Sequence, residues 1–542
     1  MPQKSKNMRT YGSGNRLIFC SSLGFLLGIC GILCGMFWEQ LFDSMLNKEM
    51  VLRPDSVIYS RWKNPPLELN LDIYLYNWTN PEDFGNSSVK PILEQCGPYR
   101  FREKPDKVDI NWHPENASVT YRRKSLYYFD AAGSNGSLDD MIVTLNAVAL
   151  AAAAKTKSWD MMNTRMVNMG LSVYQQEVAV TKTVDELLFT GYSDDMMTTA
   201  RTMTNIFGKK VEVPFDRFGW FYTRNGSAEL TGVFNAYTGA DDISRAGQMH
   251  TWNYKTHSGF FESHCGDING SAGEFYPKNL TPDSIVGLFT PDMCRTVPLE
   301  YTETVEIEGI KGYKYSGGPR AVDNGTLYPE NLCYCGGECT PSGLMNVSAC
   351  RYGTPAFMSF PHFYQADPYL VDQVEGLEPN KEKHEFYMIL EPKTGLTLEV
   401  AARFQVNMLV EPIRGVSLYE DVPRIYFPLI WFEQKVRITP ELAAEWKVIP
   451  RVLLGGQIFA GLLFAIGVIM LAWYPMQHLC FMRKSRRRVN STNKIHGVTE
   501  NGAVGGEMKS LQNHKENVPE QSPLLEKSTK PVTIRESNGK LE

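Results

Sequence analysis

The sequence predicts an α+β protein, with one large ectodomain of strands and inserted helices held between two transmembrane helices. Two long uncharged runs lie near the ends, strand periodicity dominates the 414 residues between them, and helical signals there are few and grouped. With 55 Lys+Arg against 60 Asp+Glu, the net charge of -5 excludes a protein that works by coating nucleic acid. Hydrophobic residues at 43% and aromatics at 12% supply a large core, so the chain as a whole is not disordered.

A cytoplasmic tail, residues 1–16, precedes the first span. Residues 17–37 are 21 positions without a charge; as a helix they cover about 32 Å, enough for a hydrocarbon core of about 30 Å. The run exceeds the apolar region of a signal peptide and no small-residue cleavage site follows it, so it reads as an uncleaved anchor. The second span is 452–474, ending in the interfacial pair Trp473 and Tyr474. Lys4, Lys6, Arg9 and Arg16 precede the first span, and Arg483, Lys484 and Arg486 to Arg488 follow the second. By the positive-inside rule both termini are cytoplasmic, which sends the ectodomain, 38–451, to the outside or a lumen.

That side of the membrane is where Asn-X-Ser/Thr is glycosylated, and the ectodomain carries nine such sites: Asn77, Asn86, Asn116, Asn135, Asn225, Asn269, Asn279, Asn324 and Asn346. A tenth, Asn490, lies in the cytoplasmic tail and is expected to stay bare. Six ectodomain cysteines cluster, Cys265, Cys294, Cys333, Cys335, Cys339 and Cys350. In the cytosol the last four would invite a zinc site, but an oxidising lumen favours disulfides, and six cysteines allow fifteen pairings that spacing cannot separate. Cys96 is left over as a small apolar residue.

Strand alternation is clearest over Leu67 to Tyr76 and recurs at Val305 to Ile310 and Leu396 to Val400. Ser137-Leu-Asp-Asp140 resembles a capping box and predicts a helix over 141–154, apolar almost all round, which is either buried core or the wall of an apolar cavity. Thr183-Val-Asp-Glu186 predicts a second helix, Thr281-Pro282 a third, and Thr439-Pro440-Glu441 a fourth leading into the second span. The tail, 475–542, turns polar after Arg488 and is expected to be mostly disordered. Within it Glu520, Leu524 and Leu525 form an acidic dileucine signal of the kind that docks on clathrin adaptors, and Cys480, beside the basic cluster at the bilayer, suits palmitoylation. Small residues in the first span, Gly24 with Gly28 and Gly31 with Gly35, hint at helix association.

Seven separated motifs occur in order: Gly97-Pro-Tyr-Arg-Phe-Arg-Glu103, Val143-Thr-Leu-Asn-Ala-Val-Ala149, Thr183-Val-Asp-Glu-Leu-Leu188, Glu262-Ser-His-Cys-Gly-Asp-Ile-Asn-Gly270, Phe360-Pro-His-Phe363, Glu391-Pro-Lys-Thr-Gly-Leu396 and Gln405-Val-Asn-Met-Leu-Val410. With them the chain from about residue 10 to residue 482 resembles the class B scavenger receptor family, that of the fatty-acid translocase and the lysosomal integral membrane protein, and within it insect members of the epithelial membrane protein or croquemort type. The resemblance implies an antiparallel β-barrel-like ectodomain with an apical helical bundle, roughly 139–190, and an internal apolar tunnel toward the bilayer. It also implies the pairs Cys265 with Cys333, Cys294 with Cys350, and Cys335 with Cys339. The translocase carries paired lysines on its bundle, whereas the matching stretch here, Asn168 to Glu177, has none; Lys155, Lys157 and Arg165 are the candidate apical contacts.

The function this implies is a receptor that captures lipids or lipid-bearing particles, passes lipid through the tunnel to the membrane and supports endocytic uptake, at the plasma membrane and in endosomes or lysosomes. It calls for no cofactor, metal or catalytic step. One alternative is an endolysosomal receptor for protein cargo, since six ectodomain histidines, His257 and His264 among them, could release cargo on acidification; another is a cell-adhesion receptor. An ectoenzyme has no His-Glu-x-x-His, Gly-x-Ser-x-Gly or phosphate-loop motif to support it.

Overall fold

Apolar alternation from Leu69 becomes a strand whose register fixes two neighbours: Leu71, Ile73 and Leu75 are all buried, with Leu71 opposite Phe101 on one side and Gln434 on the other. The computed structural model describes residues 8–65, 67, 69–86, 88–202, 205–206, 209–210 and 213–496. Its strands are β1 (Leu69–Trp78), β2 (Leu93–His113), β3 (Ser118–Phe129), β4 (Met141–Leu145), β5 (Ala179–Thr183), β6 (Asn205–Ile206), β7 (Lys209–Lys210), β8 (Val233–Tyr237) and β9 (Met249–Trp252). There follow β10 (Val286–Thr290), β11 (Arg295–Ile307), β12 (Ile310–Ser316), β13 (Met345–Asn346), β14 (Ala356–Ser359), β15 (Tyr387–Leu390), β16 (Thr397–Val410) and β17 (Ile425–Arg437).

Thirteen of these form one sheet, ordered β10-β11-β12-β15-β16-β17-β1-β2-β3-β8-β9, with β14 paired to β16 and β13 to β14. Its pairs are antiparallel. The two ends of that order nearly meet. Met249 of β9 donates to Gly270 O (2.8 Å), Ser271 donates to Gly287 O (2.8 Å), and Phe289 of β10 donates back to Ser271 O (2.8 Å). Two residues thus bridge the edges, giving the barrel-like α+β architecture expected.

The faces of the barrel follow from exposure. On β2, β3 and β17, Arg102, Lys104, Tyr128, Lys435 and Arg437 are exposed. Phe101, Glu103, Lys107, Tyr121, Arg123, Ser125 and Tyr127 point the other way, inward, with Glu103 opposite Tyr127 and Lys107 opposite Arg123.

Two sequence expectations fail here. Residues 141–145 are β4, paired with β5, because Met-Ile-Val-Thr-Leu is a β-branched run with a partner strand; the Asp140 carboxylate accepts from Ser137 N–H (2.9 Å) and closes a turn. The helix starts only at Ala147, capped by Asn146, whose side chain accepts from Ala149 N–H (3.0 Å). At Thr281 the chain makes a turn, Ser284 N–H to Thr281 O (2.9 Å), and enters β10 at Val286 without a helix.

The main helices are α1 (Met8–Met50), α2 (Val57–Lys63), α3 (Ala147–Lys155), α4 (Met161–Val173), α5 (Val184–Leu188) and α6 (Asp195–Thr202), then α7 (Pro319–Val322), α8 (Pro368–Asp372), α9 (Lys381–His384), α10 (Pro440–Trp446) and α11 (Val448–His496). Thr183 and Glu186 complete a reciprocal capping box on α5, and Thr439 caps α10. Stretches of α1 (Ile18–Met50) and of α10 with α11 (Pro440–Lys484) are long and apolar enough to cross a membrane. The last helix continues eight residues past Arg488, where composition alone predicted disorder.

The described residues divide into two compact units: 8–25 with 467–496, and Leu26–Ile466. In the first, Gly24 lies against Gly467 and Met470. In the second, Gly31 meets the backbone of Ala460 and Phe464, Trp38 Nε1–H donates to Leu453 O (3.0 Å), and Gly456 leaves room for the Trp38 ring. The far end of α1 is tied to the barrel domain by Lys393, which pairs with Asp43 (3.2 Å) and Glu39 (3.5 Å).

Candidate functional site

Helices α3 to α6 lie between β4 and β8 in the chain and form the candidate ligand-facing group. In α3 the apolar residues Ala149, Leu150 and Ala153 are fully buried, so this helix is core. Its neighbour α4 buries Asn163, Thr164 and Leu171, while Met162 (71%), Met169 (54%) and Val173 (66%) are exposed. Together with half-buried Met166 these residues fall at helical spacing and make one apolar stripe, a flexible, polarisable surface suited to adaptable apolar ligands. Asp160 caps the helix, accepting from Met162 and Asn163 N–H, and Asn168 Oδ1 accepts from Ser417 N–H (2.8 Å) and Oγ–H (2.9 Å) to dock it.

The candidate contacts divide. Arg165 is exposed on α4, whereas Lys157 is ion-paired with Glu411 and the Lys155 ammonium donates to Tyr352 O. Lys155 thus ties the end of α3, and Lys157 the turn that follows it, to neighbouring segments. The methionine stripe was missed in the sequence because an i, i+4, i+7, i+11 apolar pattern reads as core.

Inside the barrel a run of rings leads away from the helices: Phe101 to Phe189 (4.6 Å), Phe189 to Phe221 (5.4 Å), Phe221 to Phe432 (6.2 Å), Phe432 to Phe404 (6.3 Å) and Phe404 to Phe386 (5.1 Å). On the inward faces of β16 and β17, Val400, Ala402, Val406 and Phe432 are only partly buried. Beside Phe221, whose ring lies 5.6 Å from the Arg224 guanidinium, stands a charged cluster. Asp292 pairs with Arg224 and with Arg351 (3.0 Å), and Arg123 with Glu274 (2.7 Å). Burial alone would raise the Asp292 carboxyl, but the two guanidiniums outweigh it and hold it far below the usual range. Burial pushes Glu103 up against the hydrogen bonds it accepts from Ser125 (2.6 Å) and Tyr127 (3.3 Å).

Cys265 is bonded to Cys333 (S–S 1.98 Å) and Cys335 to Cys339 (S–S 2.14 Å). Cys294 and Cys350, expected as the third pair, are thiols in this structure; they stand side by side, and the hydrogen bond between them, with burial, pushes the Cys294 thiol up. His264 joins Cys265 and Cys333 in a group whose ligand-type atoms lie within 4.8 Å, but both sulfurs are committed to each other. Of the sequons, Asn86, Asn116, Asn135, Asn225, Asn269 and Asn279 are exposed and Asn77, Asn324 and Asn346 half-buried. Cys480 is exposed on α11, and Glu520, Leu524 and Leu525 lie outside the described residues.

Comparison with known proteins adds a second line. The CD36 family pattern matches residues 22–478. Protein peste of Drosophila melanogaster is 48% identical over 476 residues, 86% of this chain and 85% of that protein. Scavenger receptor class B member 1 of Mus musculus is 31% identical over 418 residues, 76% of this chain and 79% of that protein. Lysosome membrane protein 2 of Homo sapiens is 31% identical over 457 residues, 82% of this chain and 92% of that protein.

Proposed function

The chain belongs to the CD36 family, the class B scavenger receptors, and from that premise we propose that it captures lipids or lipid-bearing particles on the α4 stripe and passes lipid through the barrel to the membrane. The observation that carries the reading is the incomplete burial of Val400, Ala402, Val406 and Phe432 on the inward face of a nearly closed barrel. A packed core would bury such side chains; an enclosed apolar space leaves them accessible. Transfer between two apolar surroundings needs no chemistry. The passage need only spare an acyl chain contact with water, worth about 0.8 kcal/mol per methylene.

In this reading residues 38–451 are the extracellular or luminal, glycosylated domain, residues 17–37 and 452–474 span the bilayer, and the tails 1–16 and 475–542 are cytoplasmic. In the oxidising compartment Cys294 and Cys350 close the third disulfide. The tail supplies sorting through Glu520, Leu524 and Leu525, with palmitoylation at Cys480. The likeness to Lysosome membrane protein 2 favours a second reading, compatible with the first, in which the receptor resides in endolysosomal membranes and escorts protein cargo.

The test uses vesicles carrying the full chain, mixed with particles containing a self-quenched fluorescent lipid. Transfer into the vesicles should exceed the protein-free rate and fall severalfold in Ala402→Trp, which fills the interior, while particle binding persists. Transfer at the protein-free rate in the wild type defeats the proposal.

A further inference from the structure

On the outer face of the barrel, opposite the lipid-facing interior, two histidines hold an exposed strap. Residues 378–383 are all exposed, and the strap they belong to returns to the sheet only at His384 and Glu385, both buried. The His362 ring, also buried, is stacked on that of His384 with centroids 4.2 Å apart and planes within 8°. Glu378 N–H donates to His362 Nδ1 (3.0 Å), and Asn380 N–H donates to His384 Nδ1 (3.0 Å). Each Nδ1 must therefore carry a lone pair, so each ring is neutral with its proton on Nε2. His362 Nε2–H donates to Gln95 Oε1 (2.7 Å), which also accepts Trp431 Nε1–H (2.7 Å).

A proton on either Nδ1 turns an acceptor into a donor facing another donor and breaks one strap contact. A proton on both sets two cations a ring stack apart. The charges around the pair oppose protonation as well. They are Lys383 of α9 and Arg403 of β16, the latter paired with Glu433 of β17 (2.7 Å) and donating to Glu382 O and Glu385 O. From β1 and β2 the neighbours are the neutral Tyr76 and Gln95.

We propose that His362 and His384 form an acid-released latch, which clamps the strap 378–383 to the outer face near neutrality and lets it lift in acidic compartments, uncovering Trp431 and Gln95. Burial, with the neighbouring cations, sets the closed-state pKa of His362 at about 4 and of His384 at about 3. A freed histidine has a pKa near 6.5. The open form then binds protons that the closed form refuses, and opening is favoured as pH falls below about 6.5. At pH 5 the factor is about 30 for each ring, or on the order of 10³ if both are released.

Hydrogen exchange of the full chain in lipid nanodiscs at pH 7.4 and pH 5, corrected for intrinsic rates, reads this directly. Amides of the strap should lose at least tenfold protection at pH 5 while those of β16 and β17 do not. The double variant His362→Asn with His384→Asn keeps an acceptor near each Nδ1 and should be insensitive to pH. Because that variant could fold poorly, imidazole C2–H exchange in the wild type provides a second reading, with both rings titrating at least one unit below the ordinary histidine value of about 6.5. Equal strap protection at the two pH values, or ordinary titration of both rings, overturns the latch.

Discussion

Replacing Gly31 by alanine tests how the two long helices meet. A Cβ at this position would lie 2.5 Å from Phe464 N, 2.9 Å from Phe464 Cα and 2.9 Å from Ala460 O, all backbone atoms with no rotamer to yield. Restoring an ordinary 3.4 Å contact from 2.5 Å requires the helices to part by about 0.9 Å locally. Overpacking of that kind costs about 1–3 kcal/mol. Gly28 is the internal control, since a Cβ there meets nothing within 4 Å. Full-length chains in the same detergent, heated in steps and assayed for monodisperse protein, should therefore rank Gly31→Ala a few degrees below wild type, with Gly28→Ala unchanged or slightly higher. Equal loss in both variants would refute the packing described here and restore a Gly24 with Gly28 contact face as the better account.

Four further outcomes are expected. Thr183→Ala removes the side-chain acceptor for Glu186 N–H and should cost about 1 kcal/mol, read as a lower thermal midpoint that Thr183→Ser largely restores. Deglycosylation mass mapping should find sugar at exposed sites such as Asn86 and none at Asn490; a glycan at Asn490 would reverse the topology. Non-reducing peptide maps of protein from a secretory host should join Cys294 to Cys350, and free thiols at both positions would count against it. The double change Leu524→Ala with Leu525→Ala should raise the surface pool of the receptor, and unaltered surface staining would remove the tail from sorting.

Much of the fold was readable because its signals are local. Uncharged runs mark the two long apolar helices, β1 shows its period of two, and Thr183 and Thr439 carry cap patterns with one outcome. Ser137 to Asp140 misled because a carboxylate three residues after a serine serves a turn as well as a helix, and the strand that claimed residues 141–145 lies almost forty positions away. The α4 stripe and the pairing of Lys157 with Glu411 depend on what the rest of the chain covers, which no local pattern encodes. The motif Phe360-Pro-His-Phe363 marked the right segment through resemblance alone; that His362 stacks on His384 is a tertiary fact.

The two-residue bridge at Gly270 and Ser271 has a consequence for solubility. A ring of strands that closes completely has no edge, but this one leaves β9 and β10 joined only through a short connector, with backbone amides and carbonyls on either side able to recruit a strand from another molecule. Gly270 adopts φ +73°, and a Cβ there would lie 2.7 Å from Gly287 O, so the connector tolerates no ordinary residue at the join. Asn269, next to it, is exposed and begins the sequon that Ser271 completes. A sugar at that position would stand over the open seam as a steric guard, so that the same three residues close the barrel and keep neighbouring copies from adding to it.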